Sequence, residues 1–156
     1  MITKICVLIL ENIRSVENTG SIFRTADRFG VSKIMMVGTT PTPLDRFGRK
    51  RRDFAKVSLG AENAVNWEYH KEIKPVIANL RRDGFYIIAL EQTPNAIDIK
   101  SLPKPEKFAL IVGNEVTGVS EETLAASDAV TEISMGESGG SLNVSVATGV
   151  ALFMLS

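Results

Sequence analysis

Short apolar runs alternate along the chain with longer segments in which apolar positions recur every three or four residues. The runs Ile5–Leu10, Lys33–Gly38, Phe85–Leu90, Phe108–Gly113 and Ala129–Ile133 are rich in valine and isoleucine. Each closes on glycine, asparagine or another polar residue, which predicts five strands. They are nearly continuous in apolar character, as expected for strands covered on both faces. Between them, Asn18–Phe29, Glu72–Arg82, Ser120–Ala126 and Ser141–Leu155 predict helices. Ile22, Phe23, Ala26 and Phe29 form one stripe of the first. Gly30 and Gly84 stand where helices end on a glycine cap. The alternation predicts an α/β fold with a mainly parallel sheet flanked by helices. Residues 39–58 fit neither period and predict a long, basic, proline-containing loop, and loops of that length in compact domains are functional or mobile.

Composition sharpens this picture. The 156 residues make one domain, 1–156, with enough chain to bury a core without disulfides or metals. Eighteen basic residues balance eighteen acidic ones, so the net charge is zero. The balance hides a split. Residues 1–60 carry eleven basic and five acidic residues, the remainder seven basic and thirteen acidic. Six of the cations fall between Arg46 and Lys56. The single cysteine, Cys6, lies in an apolar run and predicts a core residue and a reducing, cytoplasmic setting. The N-terminus has too short an apolar stretch for a signal peptide, and no run reaches the roughly 20 residues of a membrane span. With His70 as the only histidine, expected to be structural, serine–histidine and cysteine–histidine schemes lose their base. G-x-S-x-G, P-loop and G-x-G-x-x-G motifs are all missing.

Four segments carry candidate chemistry. Asn18 is a good N-cap, and free N–H groups behind it favour an anion. Gly20 and Arg24 share a helix face, so a phosphate or ribose could approach the backbone beside the guanidinium. A capped helix with a surface arginine is the plainer alternative. Second, a strand ending at Gly113 and followed by Asn114 and Glu115 puts polar groups where open α/β sheets bind ligands. The same residues also read as a turn leading into a helix capped by Ser120. Third, the glycine loop before Ser141-Leu-Asn143 can wrap closely around a ligand, with Ser141 as the N-cap of a helix packed on both sides as the alternative. Fourth, Arg46, Arg49, Lys50, Arg51 and Arg52 interleave with Phe47 and Phe54, a combination suited to phosphates and unpaired bases. A solvated surface run is the alternative there.

Glu11-Asn-Ile, Asn18-x-Gly-x-x-x-Arg24, Phe29-Gly30, Val112-Gly-x-Glu-x-x-Gly118 and Ser141-Leu-Asn-Val-Ser-Val-Ala147 follow one another across essentially the whole chain. Together they resemble the motifs of the TrmH (SpoU) family of RNA ribose 2′-O-methyltransferases, in the SPOUT superfamily. The resemblance implies a C-terminal deep trefoil knot, a topology that general folding rules would not predict. It implies S-adenosylmethionine as cofactor, held near Leu90, Gly113, Ile133 and Met135 and closed in by Ser141 and Leu142. It implies Arg24, Asn18, Glu115, Ser141 and Asn143 as the catalytic group, a homodimer with the active site near its interface, and tRNA or rRNA as substrate, with tRNA favoured. RNA phosphates would meet Arg24 and the arginines of the basic loop. No metal and no membrane are implied.

Several departures stand out. Ile133-Ser134-Met135 replaces the usual Ile-Pro-Met, giving up a rigid turn, and the loop glycine falls one residue early, at Gly136, with Glu137 in its place. The chain shows no added RNA-binding domain and is expected to be close to a bare catalytic core. A non-catalytic knotted RNA-binding or assembly protein is the competing expectation.

Overall fold

The computed structural model describes residues 4–137 and 139–156. Among these, seven strands form one parallel sheet: β1 (Ile5–Glu11), β2 (Lys33–Val37), β3 (Trp67–His70), β4 (Tyr86–Leu90), β5 (Ile97–Asp98), β6 (Lys107–Val112) and β7 (Ala129–Glu132). Their order is β3-β2-β1-β6-β4-β7-β5. The helices are α1 (Val16–Phe29), α2 (Arg52–Ser58), α3 (Ala61–Ala64), α4 (Ile73–Arg82), α5 (Glu121–Ala126) and α6 (Val144–Leu155), with a 3-10 turn at Ile99–Ser101. No helix of the described residues is long and apolar enough to cross a membrane.

β1 explains why its sequence is apolar throughout. It pairs with β2 on one side and β6 on the other, with Leu8 opposite both Ile34 and Leu110. Cys6, Leu8 and Leu10 pack with Phe23 of α1, Phe54 of α2 and Leu152 of α6. Val7 and Ile9, one step out of phase, pack with Ile73, Val76, Ile77 and Leu80 of α4. Period-two alternation therefore feeds two cores, one on each face of the sheet. Leu8, Ile9 and Leu10 are fully buried, and each contributes roughly 1.5–3 kcal/mol. Burial also pushes the Cys6 thiol up to about 12, so this cysteine is an inert core residue.

The five expected strands are present, each within a residue or two of its expected ends. Two short strands, β3 and β5, escaped because they close the sheet's edges, where only four and two residues pair. His70 ends β3, shortly before α4 begins at Ile73. The expected loop 39–58 is half structured: Leu44 and Lys50 form an antiparallel bridge, and α2 begins at Arg52. Helix α1 begins earlier than expected, because Ser15, not Asn18, is its N-cap and accepts from the Asn18 N–H. Likewise α6 is capped by Asn143, whose side chain accepts from Ser145 N–H, and begins at Val144 rather than Ser141. Gly30 ends α1 in the left-handed conformation at φ 71°, as its position predicted.

Candidate functional site

The adjacent strands β6, β4 and β7 end side by side, and Ile133, Met135, Ser141, Leu142 and Asn143 gather at those ends before α6 begins. Between them lies a cleft of about 440 Å³, within the range that holds a small organic ligand. Leu90, Gly113, Ile133, Met135, Ser141 and Leu142 all line it. Glu115 and Asn143 line it as well.

Gly113 is there for space. A Cβ at this position would collide with the Val119 nitrogen and the Gly118 carbonyl. The 114–118 loop folds back through paired hydrogen bonds between Asn114 and Gly118, and the Asn114 side chain accepts from Val116 and Thr117 N–H. This lets the loop lie directly on the end of β6.

Glu115, at the tip of that loop, reaches the start of α1. Its carboxylate accepts from Arg14 N–H at 2.8 Å, Ser15 N–H at 2.9 Å and the Asn18 amide at 3.0 Å. The Asn143 amide in turn donates to Asn18 Oδ1 at 3.1 Å. Three distant segments are thus joined into one relay, Glu115–Asn18–Asn143. Partial burial pushes the Glu115 carboxyl up, but the hydrogen bonds from Arg14, Asn18 and Ser15 outweigh it and hold the group below the usual carboxylate range. Glu115 thus sets a carboxylate beside the front of α1, held by the Arg14 and Ser15 N–H groups that lead into the helix and by the Asn18 side chain.

This geometry extends over most of a single matched region: residues 5–153 match the SpoU rRNA Methylase family. The chain belongs to the SpoU rRNA Methylase family. It is 30% identical over 144 residues to the tRNA (guanosine(18)-2′-O)-methyltransferase of Escherichia coli strain K12, covering 92% of this chain and 59% of that protein. It is 32% identical over 149 residues to the protein of the same name from Thermus thermophilus, covering 94% of this chain and 71% of that one. The solved structure of an AdoMet-bound rRNA methyltransferase from Sinorhizobium meliloti superimposes with a TM-score of 0.86 at 26% identity, over 97% of this chain and 55% of that chain. The chain thus spans about three fifths of the length of its E. coli relative.

Within this SpoU-family chain, other site expectations fall differently. Arg24 is exposed on α1 and is not among the residues lining the cleft. Gly20, expected to open a path for a phosphate, is buried: a Cβ there would sit 2.8 Å from Val57 Cβ, so the glycine serves the close packing of α1 on α2. Phe54 is not a stacking residue either. It is buried in the core, edge-on to Phe23 with ring centroids 5.2 Å apart. Arg46, Arg49 and Lys50 lie in the exposed hairpin, Arg51 just after it is half-buried, and Arg52 opens α2. Arg49 pairs with Asp45 and Arg51 with Asp53.

Two site-supporting residues gave no expectation. Glu11, buried at the end of β1, accepts from Ser120 N–H at 2.8 Å and from the Ser120 and Thr123 hydroxyls, holding the front of α5. Glu91, after β4, lines the cleft and accepts from Val119 N–H at 2.7 Å, with its carboxylate pressed where a side chain at Gly118 would go. Glu11 opens the first of the motifs quoted above, without a role assigned to it, and Glu91 had only its position, an acid directly following an apolar strand.

Proposed function

We propose that this chain is the catalytic domain of an S-adenosylmethionine-dependent enzyme that methylates a ribose 2′-hydroxyl of tRNA or rRNA. The convergence of Leu90, Gly113, Ile133, Met135, Ser141 and Leu142 on one cleft carries this reading. The lining fits the cofactor. Leu90, Val112, Ile133 and Leu142 offer apolar surface to an adenine, and Gly113 brings backbone close to it. Glu91, Glu115 and Glu132 bring negative charge to a ligand that carries a positive one. The names of the two relatives above favour tRNA over rRNA.

When bound, S-adenosylmethionine supplies an electrophilic methyl group on a cationic sulfonium. The chain's task is then to position the acceptor oxygen and to manage its proton. Ser141 and Asn143 orient cofactor and ribose at the cleft mouth, while Glu115 and Asn18 hold Asn143 in place. Arg24 anchors the target phosphate and stabilises the negative charge growing on the ribose oxygen. A guanidinium with a pKa above about 12 does not accept a proton, so phosphate or solvent takes it. Arg24 lies outside the cleft of its own chain, which suits an active site completed at a homodimer interface. The exposed Val146 and Phe153 on α6 supply apolar surface for that interface. A knotted path for the C-terminal segment belongs to the same reading. It draws support from α6 packing on both α1 and the turn around Ile99. The cytoplasm is the compartment this substrate implies.

The test is incubation with methyl-labelled S-adenosylmethionine and separate tRNA and rRNA pools, followed by mapping of 2′-O-methylated positions. Label in tRNA is expected. No transfer to any pool would favour the non-catalytic RNA-binding alternative, for which the Ser134–Glu137 departure is the observation. Arg24→Ala should abolish transfer while leaving S-adenosylmethionine binding intact. Loss of cofactor binding with RNA binding spared would sink the role assigned to Arg24.

A further inference from the structure

A second groove, of about 780 Å³, lies beyond the catalytic cleft, over the ends of β2 and β3. Its floor is rigid. Gly38, at φ 69°, has no room for a Cβ against the Asn12 side chain, and Tyr69 donates its hydroxyl to the Gly38 carbonyl at 2.7 Å. The buried Thr40 hydroxyl donates to main-chain carbonyls of Leu10 and Val37 at 2.7 and 3.0 Å and accepts from Ile13 N–H. One wall is the half-buried Trp67 and the exposed Tyr69 on β3. The other is the Leu44–Lys50 hairpin, with Phe47 at its tip, 66% exposed. Asp45 organises that tip by accepting from Phe47 and Arg49 N–H and pairing with the Arg49 guanidinium. Arg46 and Arg49 lie over the Phe47 ring, 4.8 and 4.9 Å from its centroid. The exposed Phe47 ring thus shares a groove with two further aromatic side chains, Trp67 and Tyr69, and with Arg46 and Arg49.

We propose that this groove binds an unpaired nucleotide of the RNA, its base among Phe47, Tyr69 and Trp67 and its phosphate at Arg46. Duplex RNA buries its bases in the stack and keeps its edges from such a slot, whereas an unstacked base offers a face to aromatic rings and guanidinium planes. The groove flanks β3 and the end of β2, and the cleft lies at the ends of β6, β4 and β7, three to four strand positions away, roughly 14–19 Å at about 4.8 Å per strand. An RNA reaching both would present an extended single-stranded loop, with the gripped base a few nucleotides from the modified ribose. The inference rests on the reading that the chain handles RNA, but it concerns a site that the methyl-transfer chemistry does not use.

Trp67 is the chain's only tryptophan, so its emission reports on this groove alone. The experiment titrates the full chain with a single-stranded oligouridylate and with a duplex of matched length at fixed salt, following Trp67 fluorescence and, independently, anisotropy of labelled RNA. The single strand should quench Trp67 and bind more tightly than the duplex. Phe47→Ala should weaken single-strand binding roughly five- to a hundredfold, and Phe47→Trp, read by anisotropy, should restore it. Phe47 sits at an exposed hairpin tip, and an unchanged thermal midpoint of Phe47→Ala would show that the fold is intact. Duplex binding as tight as single-strand binding, or single-strand affinity indifferent to Phe47→Ala, overturns the proposal. Methyl transfer is scored separately, so that Phe47-dependent binding without transfer would leave the groove standing and bring down only the catalytic reading.

Discussion

Single carboxylates do much of the positioning in this molecule. Glu115 holds the segment leading into α1 from a loop a hundred residues away, and its pKa is lowered because three donors converge on it against the opposing effect of burial. A lowered folded-state pKa means stabilisation that is complete above the unfolded value, about 4.3, and lost as pH falls through the folded one. Glu115→Gln should therefore cost about 0.5–1 kcal/mol at neutral pH, the low end for a helix-terminal charge because the group is exposed. The gap between the two thermal midpoints should narrow as pH falls below about 4.3, and a gap that widens in acid would refute the account. A second carboxylate compensates for a sequence departure. Ser134, at the proline position of the Ile-Pro-Met pattern that the resemblance implies, donates to Asp98 Oδ2 at 2.6 Å. That hydrogen bond, with the Lys100 N–H, holds the Asp98 carboxyl below its usual range. The pair ties the segment that carries Met135 to the end of β5, so a lost backbone restraint is replaced by a side-chain one. Ser134→Ala and Asp98→Ala should each weaken S-adenosylmethionine binding several-fold by calorimetry, the double variant no more than either single, and Ser134→Pro should keep wild-type affinity. Additive losses would mean that the two residues act separately.

At the level of elements, α1 shows where pattern reading succeeds and where it fails. Its apolar stripe and its glycine cap are local properties, legible at Ile22, Phe23, Ala26 and Gly30, but Phe29, expected in the same stripe, is 41% exposed at the end of the helix. Its true start was not legible, because Ser15 and Asn18 are both good caps and only the tertiary pairing of Asn18 with Glu115 and Asn143 separates them. The same reason hid Glu11 and Glu91, whose partners lie 109 and 28 residues away. The cleft's lining was legible because motifs mark strand ends, and a parallel sheet gathers strand ends at one edge. Gly20 reads from spacing as a ligand approach yet serves helix packing, since the partner helix α2 lay inside an apparent loop. A glycine-to-alanine change in an open helix stabilises by about 0.5–1 kcal/mol. At Gly20 the added Cβ meets Val57 at 2.8 Å, and overpacking at about 1–3 kcal/mol should win. Gly20→Ala should lower the thermal midpoint and the Gly20→Ala/Val57→Ala pair should recover it. A rise on Gly20→Ala alone would mean that α1 and α2 are not packed this closely.

For the whole molecule, the zero net charge conceals an arrangement that follows the fold. The basic first part of the chain supplies the hairpin beside the second groove, and the acidic remainder supplies Glu91, Glu115 and Glu132 around the cleft. Some of the basic charge is already spent internally, since Arg49 and Arg51 pair with Asp45 and Asp53. The count of arginines therefore overstates the number of phosphates the surface can neutralise. Each phosphate contact on a single strand contributes about −0.7 to the slope of log K against log salt. With Arg46, Lys50, Arg52 and Lys56 as the cations of the cluster that make no ion pair within the described residues, its expected contribution to the slope for single-stranded RNA is about −3. Were all six cations of the cluster engaged, it would approach about −4. Asp45→Asn and Asp53→Asn release the paired arginines and should steepen the slope toward that larger value. S-adenosylmethionine, one small ligand held against carboxylates in a partly apolar cleft, should lose little affinity over the same salt range. Binding measured from about 50 to 400 mM salt for both ligands decides the matter: parallel salt dependence would mean that cleft and groove are not electrostatically separate sites.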